Sequence, residues 1–271
     1  MLARLIMVFP IVGLVSLIFI SVTKAAGSLL PRQQLTFLSY HQVNPDIFLS
    51  DINSGITRNL TNNPAYDGAY AWSNDGSWLA FISDRAGGLS LFVMNSTGGE
   101  VRQLTPAGDN RGYGGIRWTN DGRIVFFSRT DPNNWFAVYP DGSGFEQIAS
   151  NETPITGIAL DLDLQADSSY WPRSPDNTRI AYASYVPEES EWGVFLTSNE
   201  ARTDSELLVL TGREGVESIT WSPDSTYVAY VGTHDRISDV YIVPATPGNP
   251  ARRLTATRAI EAAAQWRPLA S

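Results

Sequence analysis

Apolar positions along this chain come in short runs that either alternate with polar residues or continue unbroken, and clusters of Asn, Asp, Gly, Pro and Ser separate the runs. Runs of this length, rich in β-branched and aromatic side chains and bounded by turn formers, predict strands. Leu35–Tyr40, Asp46–Ser50, Ile56–Leu60 and Gly68–Trp72 form the first such group, and Leu79–Ser83, Leu91–Met94, Val101–Leu104 and Gly115–Trp118 the second. A third reads Ile124–Ser128, Trp135–Tyr139 and Phe145–Ile148, followed by either Thr156–Leu160 or Ser169–Arg173. The fourth is Ile180–Ser184, Trp192–Leu196, Glu206–Leu210 and Glu217–Trp221, and the fifth Val228–Val231, Asp239–Val243, Arg252–Leu254 and Ala262–Trp266. Nothing between these runs leaves room for a long helical period.

One stretch returns in near copy. Trp221-Ser222-Pro223-Asp224-Ser225-Thr226-Tyr227 matches Trp72-Ser73-Asn74-Asp75-Gly76-Ser77-Trp78 and Trp118-Thr119-Asn120-Asp121-Gly122-Arg123-Ile124. Arg173-Ser174-Pro175-Asp176-Asn177-Thr178-Arg179 is a degenerate copy, and Gln265-Trp266-Arg267-Pro268 a truncated one. Repetition every ~45–55 residues marks a stacked array such as a propeller, whose radial packing buries both faces of each sheet. The expected fold is therefore all-β: a five-bladed β-propeller of four-stranded antiparallel blades. The chain enters on a second strand and leaves just after a first, so Ala262–Trp266 is expected to close the ring by completing the first blade. The longest interval, between Trp118 and Arg173, makes six blades the alternative.

The repeats fix roles for their recurring residues. Asp75, Asp121, Asp176 and Asp224 sit in Asn-Asp-Gly, Pro-Asp-Asn or Pro-Asp-Ser sequences, the chemistry of a tight turn between the first two strands of a blade. Trp72, Trp118, Trp221 and Trp266 end the inner strands and are expected to pack between blades, where a large ring contributes mainly through its area.

Leu5 to Val22 is apolar apart from Ser16 and Ser21, with Arg4 before it and Lys24 after it. As a helix it would reach about 27 Å, enough for a bilayer core. An N-terminal hydrophobic helix is expected, as an uncleaved membrane anchor or as a signal peptide cut near Ala25-Ala26-Gly27. Residues 1–30 thus form the anchor or signal and residues 31–271 the propeller domain, on the extracytoplasmic side.

Several segments resemble the WD40-like (PD40) propeller repeat of TolB-like proteins: Leu79-Ala80-Phe81-Ile82-Ser83-Asp84-Arg85, Leu91-Phe92-Val93-Met94-Asn95, Val101-Arg102-Gln103-Leu104-Thr105, Asp239-Val240-Tyr241-Ile242-Val243 and Arg253-Leu254-Thr255. The resemblance covers residues 35 to 268. It implies a propeller that serves as a periplasmic interaction module, a peptidase gating domain or an extracellular sensor.

Composition narrows the chemistry. Of 271 residues 43% are hydrophobic and 17% charged, and the net charge is −9, which argues against a nucleic-acid partner. Cysteine is absent, so neither disulfides nor thiolate chemistry are available. The two histidines, His41 and His234, could bring at most two imidazoles together, with Asp46 or Asp235 as helpers, and Asp161 and Asp163 lack a calcium loop. No catalytic residue, metal or cofactor is expected.

Chain direction places the connections after second and fourth strands on one face, and these are the longer loops, where binding commonly resides. Tyr66, Asp67, Arg111, Tyr113, Asp167, Tyr170, Glu214 and Arg258 precede the inner strands there and are expected to rim the central channel. The expected function is binding of a protein or peptide partner through that face. The alternatives are a hydrolase or lyase acting at the channel mouth and a small-ligand sensor.

Overall fold

A computed structural model of the protein describes residues 33–40, 44–109, 111–148 and 171–269. All of its regular structure is strand. In chain order these are β1 (Gln34–Tyr40), β2 (Asp46–Asp51), β3 (Thr57–Asn59), β4 (Asp67–Trp72), β5 (Trp78–Ser83), β6 (Ser90–Asn95) and β7 (Arg102–Gln103). Then follow β8 (Tyr113–Trp118), β9 (Ile124–Ser128), β10 (Trp135–Val138), β11 (Glu146–Ile148), β12 (Ile180–Val186), β13 (Glu191–Thr197) and β14 (Glu206–Gly212). The last are β15 (Val216–Trp221), β16 (Tyr227–His234), β17 (Ile237–Pro244), β18 (Arg252–Arg253) and β19 (Ile260–Trp266).

They form five separate antiparallel sheets. The first runs β19-β1-β2-β3, the second β4-β5-β6-β7, the third β8-β9-β10-β11, the fourth β12-β13-β14 and the fifth β15-β16-β17-β18. β19 takes the inner place beside β1, with Leu35 opposite Trp266 and Tyr40 opposite Ile260.

The expected architecture is corrected on three points. Among the described residues the fourth sheet has three strands, not four, and its ladder extends upstream only as the isolated bridge Arg173–Ile180. Pro172 and Pro175 flank that bridge, and proline has no N–H to extend a ladder. None of the sheets closes on itself into a barrel, and the described residues do not form five uniformly four-stranded blades. Finally, against the expected N-terminal hydrophobic helix, the described residues contain no helix, and so none long and apolar enough to cross a membrane. Leu5–Val22 itself lies outside the described residues.

Burial explains the sequence pattern. Strands second in their sheets, such as β5, β9 and β16, are buried along almost their whole length, because neighbouring sheets cover both faces. Leu38, Ile47 and Leu49 pack with Tyr70, Trp72 and Phe81 across the first and second sheets. Ala80, Ile82 and Val93 meet Tyr113, Ile124 and Phe126 across the second and third. Equivalent cores join the fifth sheet to the first and the fourth to the fifth.

The anchor tryptophans add a directed link at these joints. Trp118 donates its indole N–H to Ala71 O at 3.0 Å, Trp221 to Pro172 O at 2.9 Å and Trp266 to Thr220 O at 3.4 Å. Each acceptor is the residue just before the preceding anchor. Trp72 reaches the equivalent Gln265 O indirectly, donating to Thr36 Oγ1 at 3.0 Å, whose hydroxyl donates to that carbonyl at 2.9 Å. A tryptophan therefore supplies both apolar area and one donor to the sheet before it. In the fourth sheet Arg173 holds the anchor position and pairs with Glu200 at 2.9 Å instead.

Candidate functional site

The two ends of the sheets differ in how far their polar groups are used up. At the end carrying the first-to-second and third-to-fourth strand connections, the turns are closed on themselves. Asp75 accepts Ser73 Oγ at 2.6 Å, Ser77 N at 3.0 Å and Ser77 Oγ at 2.8 Å. Asp176 does the same with Ser174 Oγ at 2.6 Å and Thr178 N and Oγ1 at 3.0 and 2.7 Å. Asp224 accepts Ser222 Oγ at 2.7 Å and Thr226 N and Oγ1 at 3.1 and 2.7 Å. Asp121 takes Thr119 Oγ1 and, at 2.9 Å, Arg123 Nε. Hydrogen bonds to the ionised form, led by the Ser73 and Thr119 hydroxyls, hold Asp75 and Asp121 below the usual carboxylate range, and the Ser174 hydroxyl leads in bringing Asp176 to about 2.

The arginines at that end are likewise committed. Arg58 donates to Ser96 O and Thr97 O, Arg179 to Ala245 O and Ser225 O, Arg252 to Ile52 O, and Arg267 to Gly76 O and Gln34 Oε1. Arg102, Arg123 and Arg173 pair with glutamates, and Arg202 lies over the Tyr182 and Trp171 rings at 4.4 and 5.4 Å. A cavity of about 310 Å³ opens beside these last residues, lined by Trp171, Ile180, Thr197 and Asn199 among others.

The opposite end carries the longer loops, and beneath them lies a repeated polar device. Thr61, Thr105 and Thr255 each follow a leucine at the end of an outer strand, and their hydroxyls accept Ile47 N, Leu91 N and Val240 N at 3.0, 3.3 and 2.9 Å. Thr61 and Thr255 also donate to Asp46 and Asp239 at 3.0 Å each. Two acids at the starts of inner strands are fully buried: Asp67, paired with Arg85 at 2.7 Å, and Glu261, which accepts Ser39 Oγ at 3.1 Å. Each keeps one carboxyl oxygen without a partner. Burial pushes both carboxyls up, Glu261 to about 7. With no accessible surface they have no route to a substrate. The Leu-Thr dipeptide and the Asp at the head of the third strand were the available sequence signals for this device, and neither was read from sequence as part of it.

The residues expected at the channel rim separate on burial. Tyr113 and Asp67 have no exposure; Tyr113 donates to Asp109 at 2.6 Å, and Asp67 is covered by Arg85, whose guanidinium stacks on Phe81 and Phe92. Arg111 bonds Asp109 through Nε at 2.9 Å and lies 4.7 Å over Phe136. Tyr66 is half-buried, with its N–H on Asp84 at 2.9 Å and its ring laid over Gly68, where a Cβ would meet the Tyr66 hydroxyl at 2.3 Å. Glu214 and Arg258 are exposed, Glu214 accepting Arg236 N at 3.2 Å. Asp167 and Tyr170 lie outside the described residues, as do His41, Asp161 and Asp163. No group of three or more potential metal ligands occurs among the described residues.

Sequence reasoning missed two surface residues beside Tyr66. Tyr40 and Ile260, opposite each other in β1 and β19, are 37% and 49% exposed. Burial raises the Tyr40 hydroxyl above its ordinary value, and the Tyr66 phenol adds to that rise. Tyr66 in turn is raised by burial, opposed by the charge of Arg129. Ile260 and Tyr40 thus sit side by side on β19 and β1, and Tyr66, just before β4, and Arg129, just after β9, lie at the same end of the sheets.

Repeated antiparallel sheets, tied inner strand to inner strand and presenting long loops at one end, define the protein as a β-propeller-type repeat protein. Residues 25–154 match the TolB beta propeller domain, PD40. That match spans just under half of the chain and is a similarity to the TolB-like PD40 β-propeller repeats. The chain is 28% identical over 196 residues to the uncharacterised protein Atu1656 of Agrobacterium fabrum, covering 68% of this chain and 61% of that protein. It is 24% identical over 149 residues to the Tol-Pal system protein TolB of Helicobacter hepaticus, covering 55% of this chain and 34% of that one. The chain therefore spans less than two thirds of either relative. Among solved structures, TolB from Acinetobacter baumannii aligns with a TM-score of 0.38 and 18% identity over 87% of this chain and 54% of that one.

Proposed function

We propose that this chain is an extracytoplasmic binding module that takes a protein or peptide partner on the end carrying the long loops. The observation that carries the reading is the contrast between the two ends. One end has its turn carboxylates and arginines satisfied internally, whereas the other leaves Tyr40 and Ile260 open to solvent beside Tyr66. Aromatic and aliphatic side chains held on rigid strands, at small entropic cost on binding, are suited to anchor a partner. Similarity to the TolB beta propeller domain supports an extracytoplasmic setting.

The test is affinity capture from envelope extract with the full tagged chain, beside a Tyr40→Ser/Ile260→Ser variant, followed by titration of the recovered partner. Both side chains are exposed, so the variant is expected to fold normally and to lose most of the affinity. Equal affinity in the variant would remove this face from the reading.

A further inference from the structure

The arginines of the described residues are not distributed evenly between bound and free. Arg129, Arg213, Arg236 and Arg258 have no side-chain hydrogen bond, ion pair or aromatic stacking contact among the described residues, and each is exposed. All four belong to one end of the sheets: Arg129 follows β9, Arg213 follows β14, Arg236 lies between β16 and β17, and Arg258 precedes β19. Arg85, Arg111 and Arg253 at that end are neutralised by Asp67, Asp109 and Asp239.

A chain with a net charge of −9 has carboxylates to spare, yet these four guanidinium groups meet none among the described residues. Three carboxylates beside these residues already hold hydrogen-bond partners. Asp84 accepts Tyr66 N, Asp131 accepts Asn133 N and Asn134 Nδ2, and Glu261 is buried against Ser39 and Thr257. Two of the free arginines stand beside Ile260 and Tyr66: Arg258 stands two residues before Ile260, and the charge of Arg129 acts on Tyr66.

From this we infer that the surface bearing Arg258, Ile260, Tyr40, Tyr66 and Arg129 docks an acidic segment of a protein partner, its carboxylates on the two arginines and its apolar side chains on Tyr40 and Ile260. The inference rests on the binding reading above and adds the chemistry of the partner. A guanidinium presents a planar donor fork that matches a carboxylate, and a fork with no internal partner is available without breaking a bond first. Opposite charge at the rim would also speed encounter and make it salt-sensitive.

A random peptide library displayed on phage, panned against the full chain and against an Arg129→Glu/Arg258→Glu variant, tests this. Neither side chain makes a bond among the described residues, so the variant should keep the wild-type circular dichroism and unfolding midpoint. Peptides enriched on the wild type are expected to be rich in Asp and Glu with interspersed apolar residues. Synthesised singly, they should bind the variant at least about tenfold more weakly and lose affinity as salt rises. Enrichment of neutral or basic peptides, equal binding to the variant, or no enrichment at all would overturn the inference. A partner captured from extract that binds wild type and double variant alike would leave the binding module standing and remove only the acidic chemistry.

Discussion

Replacing Glu261 by glutamine takes a titrating group out of the seam between β19 and β1 while keeping its shape. Oε1 accepts Ser39 Oγ at 3.1 Å and Thr257 Oγ1 at 3.0 Å, and Oε2 has no partner. Across the joint to the fifth sheet stands Asp239, itself held by Arg253 at 2.6 Å and Thr255 at 3.0 Å. Burial, opposed by the two hydroxyls and reinforced by the Asp239 charge, lifts the carboxyl from 4.5 to about 7. The folded state therefore holds this proton more tightly than the unfolded chain. The stabilisation is fully present below the unfolded value and is lost as pH rises through the folded one. At about 1.4 kcal/mol per pKa unit, the interval sets a ceiling of ~3 kcal/mol. Urea unfolding of the full chain from about pH 5 to about pH 8.5 measures it. Wild type and Glu261→Gln should be nearly equal at the acid end, and the variant more stable at the alkaline end by up to ~3 kcal/mol. Asp67 is shifted in the same direction and is present in both proteins, so only the difference between them is diagnostic. A difference that does not change with pH, or a variant that is less stable at the alkaline end, would refute the reasoning.

Other substitutions probe the repeat. Asp224→Ala removes the acceptor for three bonds in one turn and should cost about 1–2 kcal/mol in urea unfolding, against near-neutrality for an exposed carboxylate outside a turn. Trp118→Phe keeps most of the ring area but deletes the donor to Ala71 O, with an expected loss of about 1–2 kcal/mol that Trp118→Ala should clearly exceed. At Gly115, where φ is +62° and a Cβ would come within 2.1 Å of the Phe127 ring, alanine should destabilise by roughly 2–4 kcal/mol. Gly87→Ala, also at positive φ but with open space around it, isolates the backbone share at about 1 kcal/mol.

Much of the repeat was legible residue by residue. The Ser/Thr-x-Asp turns depend on atoms within five positions of one another, so a local reading could place Asp75, Asp176 and Asp224 in turns. The rim was harder. Asp67 and Tyr113 stand first in β4 and β8, and whether such a residue faces solvent depends on what the adjacent strands and loops lay over it: Arg85 in one case, Asp109 and Phe136 in the other. The three-stranded fourth sheet was legible in hindsight from Pro172 and Pro175, which the repeat alignment outweighed.

The sequence by itself determined the strands, their grouping into repeats and the turn chemistry, because these rest on side-chain period and contacts within a few residues. Tertiary structure alone decided which polar groups are spent and which remain free. Trp118 finds its acceptor in the preceding sheet, Glu261 is buried between β1 and the fifth sheet, and Arg129 and Arg258 have no carboxylate partner among the described residues. Such bonds join residues tens to hundreds of positions apart, and no local pattern encodes whether a given donor will meet its acceptor.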